Sequence, residues 1–166
     1  RTAFALPQER VYGLSDVQRL RIGACTFTGI ASAHELLERD ARGEYLCMGA
    51  VIKLEGFRVY QPGDTCIYEG LAAKLRALGP LDAMLLPING RDAERYHKGI
   101  LGNMTYQEAA DLGAMLQPGL LIPAHYDLFQ GNLEDPGKFT DYLAVKYPRQ
   151  RVWVGAIGDH VTLRKG

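Results

Sequence analysis

The sequence lacks the features that would direct it to a membrane or to a polyanion. No apolar run approaches the roughly 18–20 residues that a membrane-spanning helix requires. Lys and Arg together number 19, as do Asp and Glu, so the formal net charge is zero. That balance argues against broad electrostatic binding to nucleic acid or to anionic membranes. We therefore expect neither a membrane nor a nucleic acid among its partners.

Cysteine is also scarce. The three cysteines, Cys25, Cys47 and Cys66, are an odd number and contain no C-x-x-C pair. Free, buried thiols in a reducing compartment explain this usage better than disulfides or a cysteine metal site. We therefore expect a cytoplasmic protein.

The length and composition are those of one globular domain. The 166 residues are 47% hydrophobic and 23% charged, which is ordinary for a chain with its own core. No repeat, low-complexity tract or linker divides the sequence, so we treat residues 1–166 as a single domain.

The pattern of apolar residues predicts hairpins first and alternating strands and helices afterwards. Residues 17–34 alternate around Gly23, and residues 46–60 alternate around a turn at Glu55-Gly56; both predict β-hairpins. Later strands are predicted at DAMLLPI, LLIP, RVWVG and HVTLR, and helices at 71–78, at 105–117 and from Asp135 onward. This order predicts an α/β protein with a mixed sheet and helices on at least one face.

A long polar segment, residues 89–103, separates a predicted strand from a predicted helix and shows no regular element of its own. Loops of this length are uncommon in compact domains and are often functional. Its polar side chains suit an anionic or polyhydroxylated substrate, and the candidate substrate-binding residues are Asn89, Arg91, Asp92, Arg95 and Asn103. A loop held together by internal salt bridges is an equally open interpretation.

Three polar residues follow predicted strands: His34 after IASA, Asp64 after FRVYQPG, and His125 after LLIPA. Side chains beyond strand ends often converge on one rim of a sheet. Histidine and carboxylate are ligand types that Zn, Mn and Fe accept. Two ordinary half-buried histidines and a turn aspartate remain the alternative. Asp127 either orients the ring of His125 or caps the next turn.

Four segments, taken in order, resemble the L-ascorbate-6-phosphate lactonase-like branch of the metallo-β-lactamase superfamily. They are SAHELLERDARGEY, VYQPGDTCIYEGLAAKLRALGPLDAMLLPINGRDAER, GNMTYQEAADL and LIPAHYDLFQGNLEDPGKF. The resemblance extends from about residue 10 to the C-terminus. It implies an αββα sandwich with a divalent metal site between two sheets. His34, a bridging Asp64 and His125 would then be metal ligands, with Asp64 and His125 catalytic.

The sequence departs from that family in its first metal motif. No H-x-H-x-D-H segment is present, so we expect a fold that is incomplete at its N-terminus and that carries only part of the ligand set. Gln61-Pro62 stands where the family commonly has His-Ser. A half-sandwich would also expose an apolar sheet face, which favours pairing with another chain.

The resemblance implies a metal-dependent hydrolase in the parent protein. One or two ions, Zn or Mn with Fe as a further candidate, would activate a hydroxide that opens the lactone of a phosphorylated sugar acid. The expected partners are therefore a small anionic substrate and further copies of the chain in a homo-oligomer. Two alternatives remain, a small-molecule phosphodiesterase of the same fold and a non-catalytic fragment that lacks the main metal motif.

Overall fold

A computed structural model describes residues 6–165, which form one mixed β-sheet and four α-helices. The strands are β1 (Arg19–Ile22), β2 (Cys25–Ala31), β3 (Met48–Leu54), β4 (Phe57–Gln61), β5 (Ala83–Pro87) and β6 (Leu120–Ala124). The helices are α1 (Leu71–Ala77), α2 (Ala93–His97), α3 (Tyr106–Leu116) and α4 (Pro136–Lys146), and a 3-10 helix spans Gln8–Arg10.

The six strands lie in the sheet in the order of the sequence. β1 to β4 are antiparallel neighbours, whereas β4, β5 and β6 are parallel. Between β3 and β4 both turn residues have positive φ, 49° at Glu55 and 86° at Gly56, as the tight turns favoured in hairpins require. The parallel strands need longer crossovers, which α1 and α3 provide. The predicted hairpins are thus confirmed.

The core lies between the sheet and the helices. Tyr60, Met84 and Leu121 stand side by side across β4, β5 and β6, and all three are fully buried. Buried helix residues pack in the same cluster; they include Leu71, Leu75, Leu112, Phe139 and Leu143. The prediction of helices packed on a mixed sheet is therefore confirmed.

The opposite sheet face is also apolar but less covered. Phe27, Ile52 and Val59 are direct neighbours across β2, β3 and β4, and each is only partly buried. Leu85 and Ile122, paired across β5 and β6, are likewise partly buried. Residues 6–165 thus form one sheet with an apolar second face.

Two predictions of secondary structure are wrong. The segment 89–103 contains the short helix α2, whose five residues are too few to show a helical period in the sequence. RVWVG and HVTLR are not strands: Val152 forms a single bridge to Leu121, and the chain then leaves the sheet. The alternating pattern was present, but a turn closed by a hydrogen bond from the Asp159 amide to the Ala156 carbonyl redirects the chain.

The structure also bears on membrane-spanning helices and on the state of the cysteines. Within residues 6–165, no helix is both long enough and apolar enough to cross a membrane. All three cysteines are free, as predicted, although only Cys66 is buried, and Cys25 and Cys47 are partly exposed.

Candidate active site

His34, Asp64 and His125, which are far apart in the sequence, come together at one end of the sheet. Oδ2 of Asp64 lies 3.4 Å from Nε2 of His125 and 3.9 Å from Nε2 of His34. One carboxylate oxygen therefore faces both imidazole rings. All three side chains are partly exposed, so water and a ligand have access to them.

Hydrogen bonds between the segments after β2 and β4 place His34 and Asp64. The Ser32 hydroxyl donates to the Pro62 carbonyl at 2.5 Å, and the Ala33 amide donates to Oγ1 of buried Thr65 at 3.0 Å. The Cys66 amide in turn donates to the Ala33 carbonyl at 2.6 Å. These bonds fix the two segments against each other on either side of the site.

His125 begins a sharp change of direction at the end of β6. The preceding residue, Ala124, is still held in the sheet, where its carbonyl accepts a hydrogen bond from the Ile88 amide at 3.0 Å. His125 itself has φ of 55°, an uncommon left-handed conformation for a residue with a side chain. Such outliers cluster at binding and active sites. The ring centroid of Phe129 lies 5.8 Å from that of His125.

A pocket of about 390 Å³ opens beside these residues. Its polar wall includes Asp64, His125 and Asp127, and its apolar wall includes Leu85, Pro87, Leu128 and Ile157. The volume is within the range of small-molecule sites. Asp127 lines this pocket, but among the described residues it makes no hydrogen bond to His125. Its orienting role stays a prediction.

The donor types at this site suit a divalent metal ion, but their spacing does not form a complete site. Two imidazole nitrogens and a carboxylate are ligands that Zn, Mn and Fe accept. Across residues 6–165, however, no group of three or more His, Cys, Asp or Glu side chains could hold a metal ion. The assignment of His34, Asp64 and His125 as ligands stays a prediction, and a complete centre would need further donors.

Two of the predicted substrate-binding residues, Asn89 and Asn103, are buried. Nδ2 of Asn103 donates to Oδ1 of Asn89 at 3.1 Å, and Nδ2 of Asn89 donates to Oδ1 of Asn132 at 3.0 Å. The exposed fraction is 0% for Asn89 and 1% for Asn103. These three amides join three loops. No local pattern in the sequence indicates the role of Asn132.

Arg91 forms an ion pair with Glu108 on α3. Both terminal nitrogens of the Arg91 guanidinium donate to the Glu108 carboxylate, each at 2.7 Å. The hydrogen bonds that Arg91 donates to Glu108 raise the pKa of Arg91 above its usual value. Burial raises the pKa of Glu108, but the hydrogen bonds from Arg91 and Thr105 outweigh it and leave that pKa lowered. The pair thus anchors the loop to α3.

Asp92 and Arg95 form a second pair in the same loop. Asp92 caps α2 by accepting from the Arg95 amide at 2.9 Å, and this hydrogen bond lowers the pKa of Asp92. The Arg95 guanidinium binds the Asp92 carboxylate at 2.5 Å and the Leu133 carbonyl at 2.7 Å. The interpretation of a loop held by internal ion pairs therefore describes this structure. Substrate binding by the loop stays a prediction.

Glu35, which the sequence did not single out, links this loop to the site. It follows His34, has φ of 71°, and its Oε1 accepts a hydrogen bond from the Gly102 amide at 2.5 Å. A hydrogen bond to Glu35 also raises the pKa of Tyr96 on α2. The loop is thereby tied to the residue next to His34. The left-handed backbone and the hydrogen bond of Glu35 are features of the fold that no local pattern in the sequence indicates.

Comparison with known proteins shows the family to which this fold belongs. Residues 2–126 match the beta-lactamase superfamily domain, so the chain belongs to that family. A UPF0173 metal-dependent hydrolase of Pyrococcus furiosus is 31% identical over 59% of this chain and 39% of its own length. A UPF0173 metal-dependent hydrolase of Desulfitobacterium hafniense is 30% identical over 71% of this chain and 45% of its own length.

A solved structure confirms the fold class. Igni18, a metallo hydrolase from Ignicoccus hospitalis, superposes with a TM-score of 0.72 at 21% identity, over 93% of this chain and 61% of that one. At this identity the likeness concerns the fold alone. The chain spans less than half the length of the two curated relatives.

Proposed function

We propose that this chain is part of a metal-dependent hydrolase in which His34, Asp64 and His125 are metal ligands. The observation that carries the proposal is the approach of one Asp64 oxygen to both imidazole rings, at 3.4 and 3.9 Å, beside a pocket of about 390 Å³. The names of the relatives, metal-dependent hydrolases, support the same class.

The remaining ligands, in this proposal, come from polypeptide outside these residues. The described part of the chain contains no group of three or more donors that could hold a metal ion. The relatives align over only 39% and 45% of their own length, which leaves ample chain for further ligands. Zn, Mn and Fe all suit imidazole and carboxylate donors, so the donor types do not select one of them.

The chemistry proposed for the site is hydrolysis. A bound divalent ion lowers the pKa of water and so makes a nucleophile available near neutral pH. The Asp64 carboxylate, which lines the pocket beside His125, would hold the ion and would accept a hydrogen bond from the attacking water. Leu85, Leu128 and Ile157 form the apolar side of the pocket, against which the apolar part of a substrate would pack.

The substrate proposed is the lactone of a phosphorylated sugar acid, on the resemblance of the sequence motifs to that branch of the superfamily. Arg91 and Arg95 are the candidates for its anionic group, with Asn89, Asp92 and Asn103 beside them. Nε of Arg95 and Oδ1 of Asn103 are buried without a partner among the described residues, and such atoms usually find a water or a ligand. A cytoplasmic homo-oligomer is part of the same proposal.

The test compares His125→Ala with His97→Ala in the full-length protein. His97 ends the exposed helix α2 and does not line the pocket, so it is the matched control. We expect His97→Ala to retain metal per chain, measured by elemental analysis, and lactone hydrolysis. His125→Ala should lose most of the metal and at least about a hundredfold in rate, because a ligand and its orientation are lost. Full metal content and activity in His125→Ala would refute the assignment.

A non-catalytic role for the isolated chain is the second candidate, favoured by the incomplete donor set among the described residues. An experiment on the isolated 18.4 kDa chain distinguishes this candidate from the hydrolase. The chain is incubated with Zn, Mn or Fe, and its metal content is measured by elemental analysis after gel filtration. Tight binding of metal together with lactone hydrolysis by the chain alone would exclude this second candidate. Metal in the full-length protein but not in the isolated chain would support it.

A further inference from the structure

A row of basic side chains crosses the sheet away from the candidate active site. Four residues pair in turn across β1, β2, β3 and β4. Arg21 pairs with Thr26, Thr26 pairs with Lys53, and Lys53 pairs with Arg58. Directly opposed residues in antiparallel strands project from the same face. Three cations and one hydroxyl therefore form a line across four strands in a protein whose net charge is zero.

This line borders a groove of about 320 Å³ beside the end of α1. The groove is lined by Arg19, Thr26, Thr28, Val51, Lys53, Arg58 and Leu78. Val51 and Leu78 are its apolar lining residues. Every other lining residue has a cationic or hydroxyl side chain. The composition is that of an anion site, because all of its polar side chains can donate hydrogen bonds and none is a carboxylate.

The cations of the groove have no carboxylate partners. Among the described residues, no ion pair includes Arg19, Lys53 or Arg58. Asp82 is close in the structure, but its carboxylate accepts from the backbone amide of Arg58 at 2.7 Å and lines a different pocket. Among the described residues, no carboxylate therefore pairs directly with a cation of the groove.

Ordinary structural roles account for only part of this arrangement. Charged residues on an edge strand prevent sheet-to-sheet aggregation, which explains Arg19 and Arg21 on β1. The guanidinium of Arg58 lies near Gly79, at the end of α1, where a cation suits the helix dipole. Neither role explains Lys53, which is on an inner strand directly opposite Arg58. Like charges directly opposite each other destabilise a sheet, and a bound anion would offset that cost.

We infer that this groove binds a small anion with two linked phosphate groups. Neighbouring strands lie about 4.8 Å apart, so one such ligand can contact Lys53 and Arg58 together. An arginine fork suits phosphate oxygens, and the hydroxyls of Thr26 and Thr28 add donors of the right kind. The inference does not depend on the proposed hydrolase, because the groove shares no residue with the pocket of His125.

The experiment is a calorimetric titration of the full chain with pyrophosphate at low ionic strength. Lys53→Gln and Arg58→Gln remove one cation each, and Arg149→Gln, which alters an exposed arginine elsewhere, is the matched control. We expect each groove variant to weaken the Kd about tenfold, the usual effect of losing one charge-assisted hydrogen bond, and the control to stay within about twofold. An unchanged Kd in the Lys53→Gln/Arg58→Gln double variant would overturn the inference, as would an equal loss in Arg149→Gln.

Amide resonances locate the ligand independently of affinity. Pyrophosphate should shift the backbone resonances of Thr26, Thr28 and Lys53 in the full chain. Shifts confined to the neighbourhood of His125 would place the anion in the other pocket and overturn the inference. Binding of heparin without any binding of pyrophosphate would also overturn it, since the groove would then be a general polyanion surface.

Discussion

Nδ2 of Asn89 donates a hydrogen bond to Oδ1 of Asn132 at 3.0 Å, and this bond joins the loop after β5 to the loop after β6. Asn103 donates to the same Asn89 side chain from the opposite side at 3.1 Å. These three residues are all the asparagines of the sequence. This amide chain therefore holds together the loops that follow β5 and β6, and the loop after β6 begins with His125.

Replacement of Asn132 by alanine should be clearly destabilising. It leaves Nδ2 of Asn89 buried without an acceptor, and such a group costs about 1–3 kcal/mol. We expect urea unfolding to show a loss of this size for Asn132→Ala. Gln130→Ala, in the exposed part of the same loop, is the control and should change the free energy of unfolding by less than about 0.5 kcal/mol. Equal stability of the two variants would contradict the structural role of the amide chain.

The parts of the fold that were predictable from sequence are those set by local chemistry. The capping box of Thr105 and Glu108 and the N-cap at Asp135 begin α3 and α4 where they were predicted. The turn at Glu55-Gly56 likewise lies where it was predicted. In each case the deciding residues are within a few positions of one another.

The parts that were not predictable depend on distant partners. The alternation of residues 151–164 is typical of strands, but in that segment the described structure has a single bridge, from Val152 to Leu121. Thr105 and Glu108, three positions apart, match a helix capping box, but nothing local indicates that the Glu108 carboxylate also binds Arg91. The approach of His34 and His125 to Asp64 was inferred from strand ends and from family resemblance, whereas the bond from Ser32 to Pro62 had no such signal.

The ion pair of Glu108 with Arg91 should make stability depend on pH in acid. The folded pKa of Glu108 is lowered from its ordinary 4.5, so the unfolded chain binds a proton at this group more readily. The stabilisation is therefore present above about pH 4.5 and is lost as the pH falls through the folded pKa. Glu108→Gln can still cap α3 but cannot form the ion pair. We expect its stability deficit against wild type to be largest near pH 7 and to shrink as the pH falls below 4.5.

The control for this pH dependence is Glu94→Gln. Glu94 pairs with Lys98 on the exposed surface of α2, where an ion pair contributes little. Unfolding by urea at a series of pH values between neutral and acid measures both deficits. A deficit of Glu108→Gln that stays constant over the whole series would show that the charge of Glu108 does not stabilise the folded state.

Gly49→Ala should disturb the candidate site through the backbone. A Cβ at Gly49 on β3 would lie 2.5 Å from both Cα and the carbonyl oxygen of Pro62, which are backbone atoms with little room to yield. The Pro62 carbonyl also accepts the Ser32 hydroxyl, and Asp64 follows two residues later. Relief of the clash must therefore shift the segment that carries Asp64 relative to His125. We expect a loss of about 1–3 kcal/mol in the free energy of unfolding, as for other overpacked sites.

The comparison that isolates this effect is Gly13→Ala, because a Cβ at Gly13 meets no atom within 4 Å. Both variants remove the same backbone freedom, so a difference between them reports the contact with Pro62. We expect shifted amide resonances at Asp64 and Thr65 in Gly49→Ala alone, together with reduced metal content in the full-length protein. If the two variants unfold at the same urea concentration and keep the wild-type resonances, then the approach of β3 to Pro62 does not position Asp64. The hydrogen bonds of Ser32 and Thr65 must then position it instead.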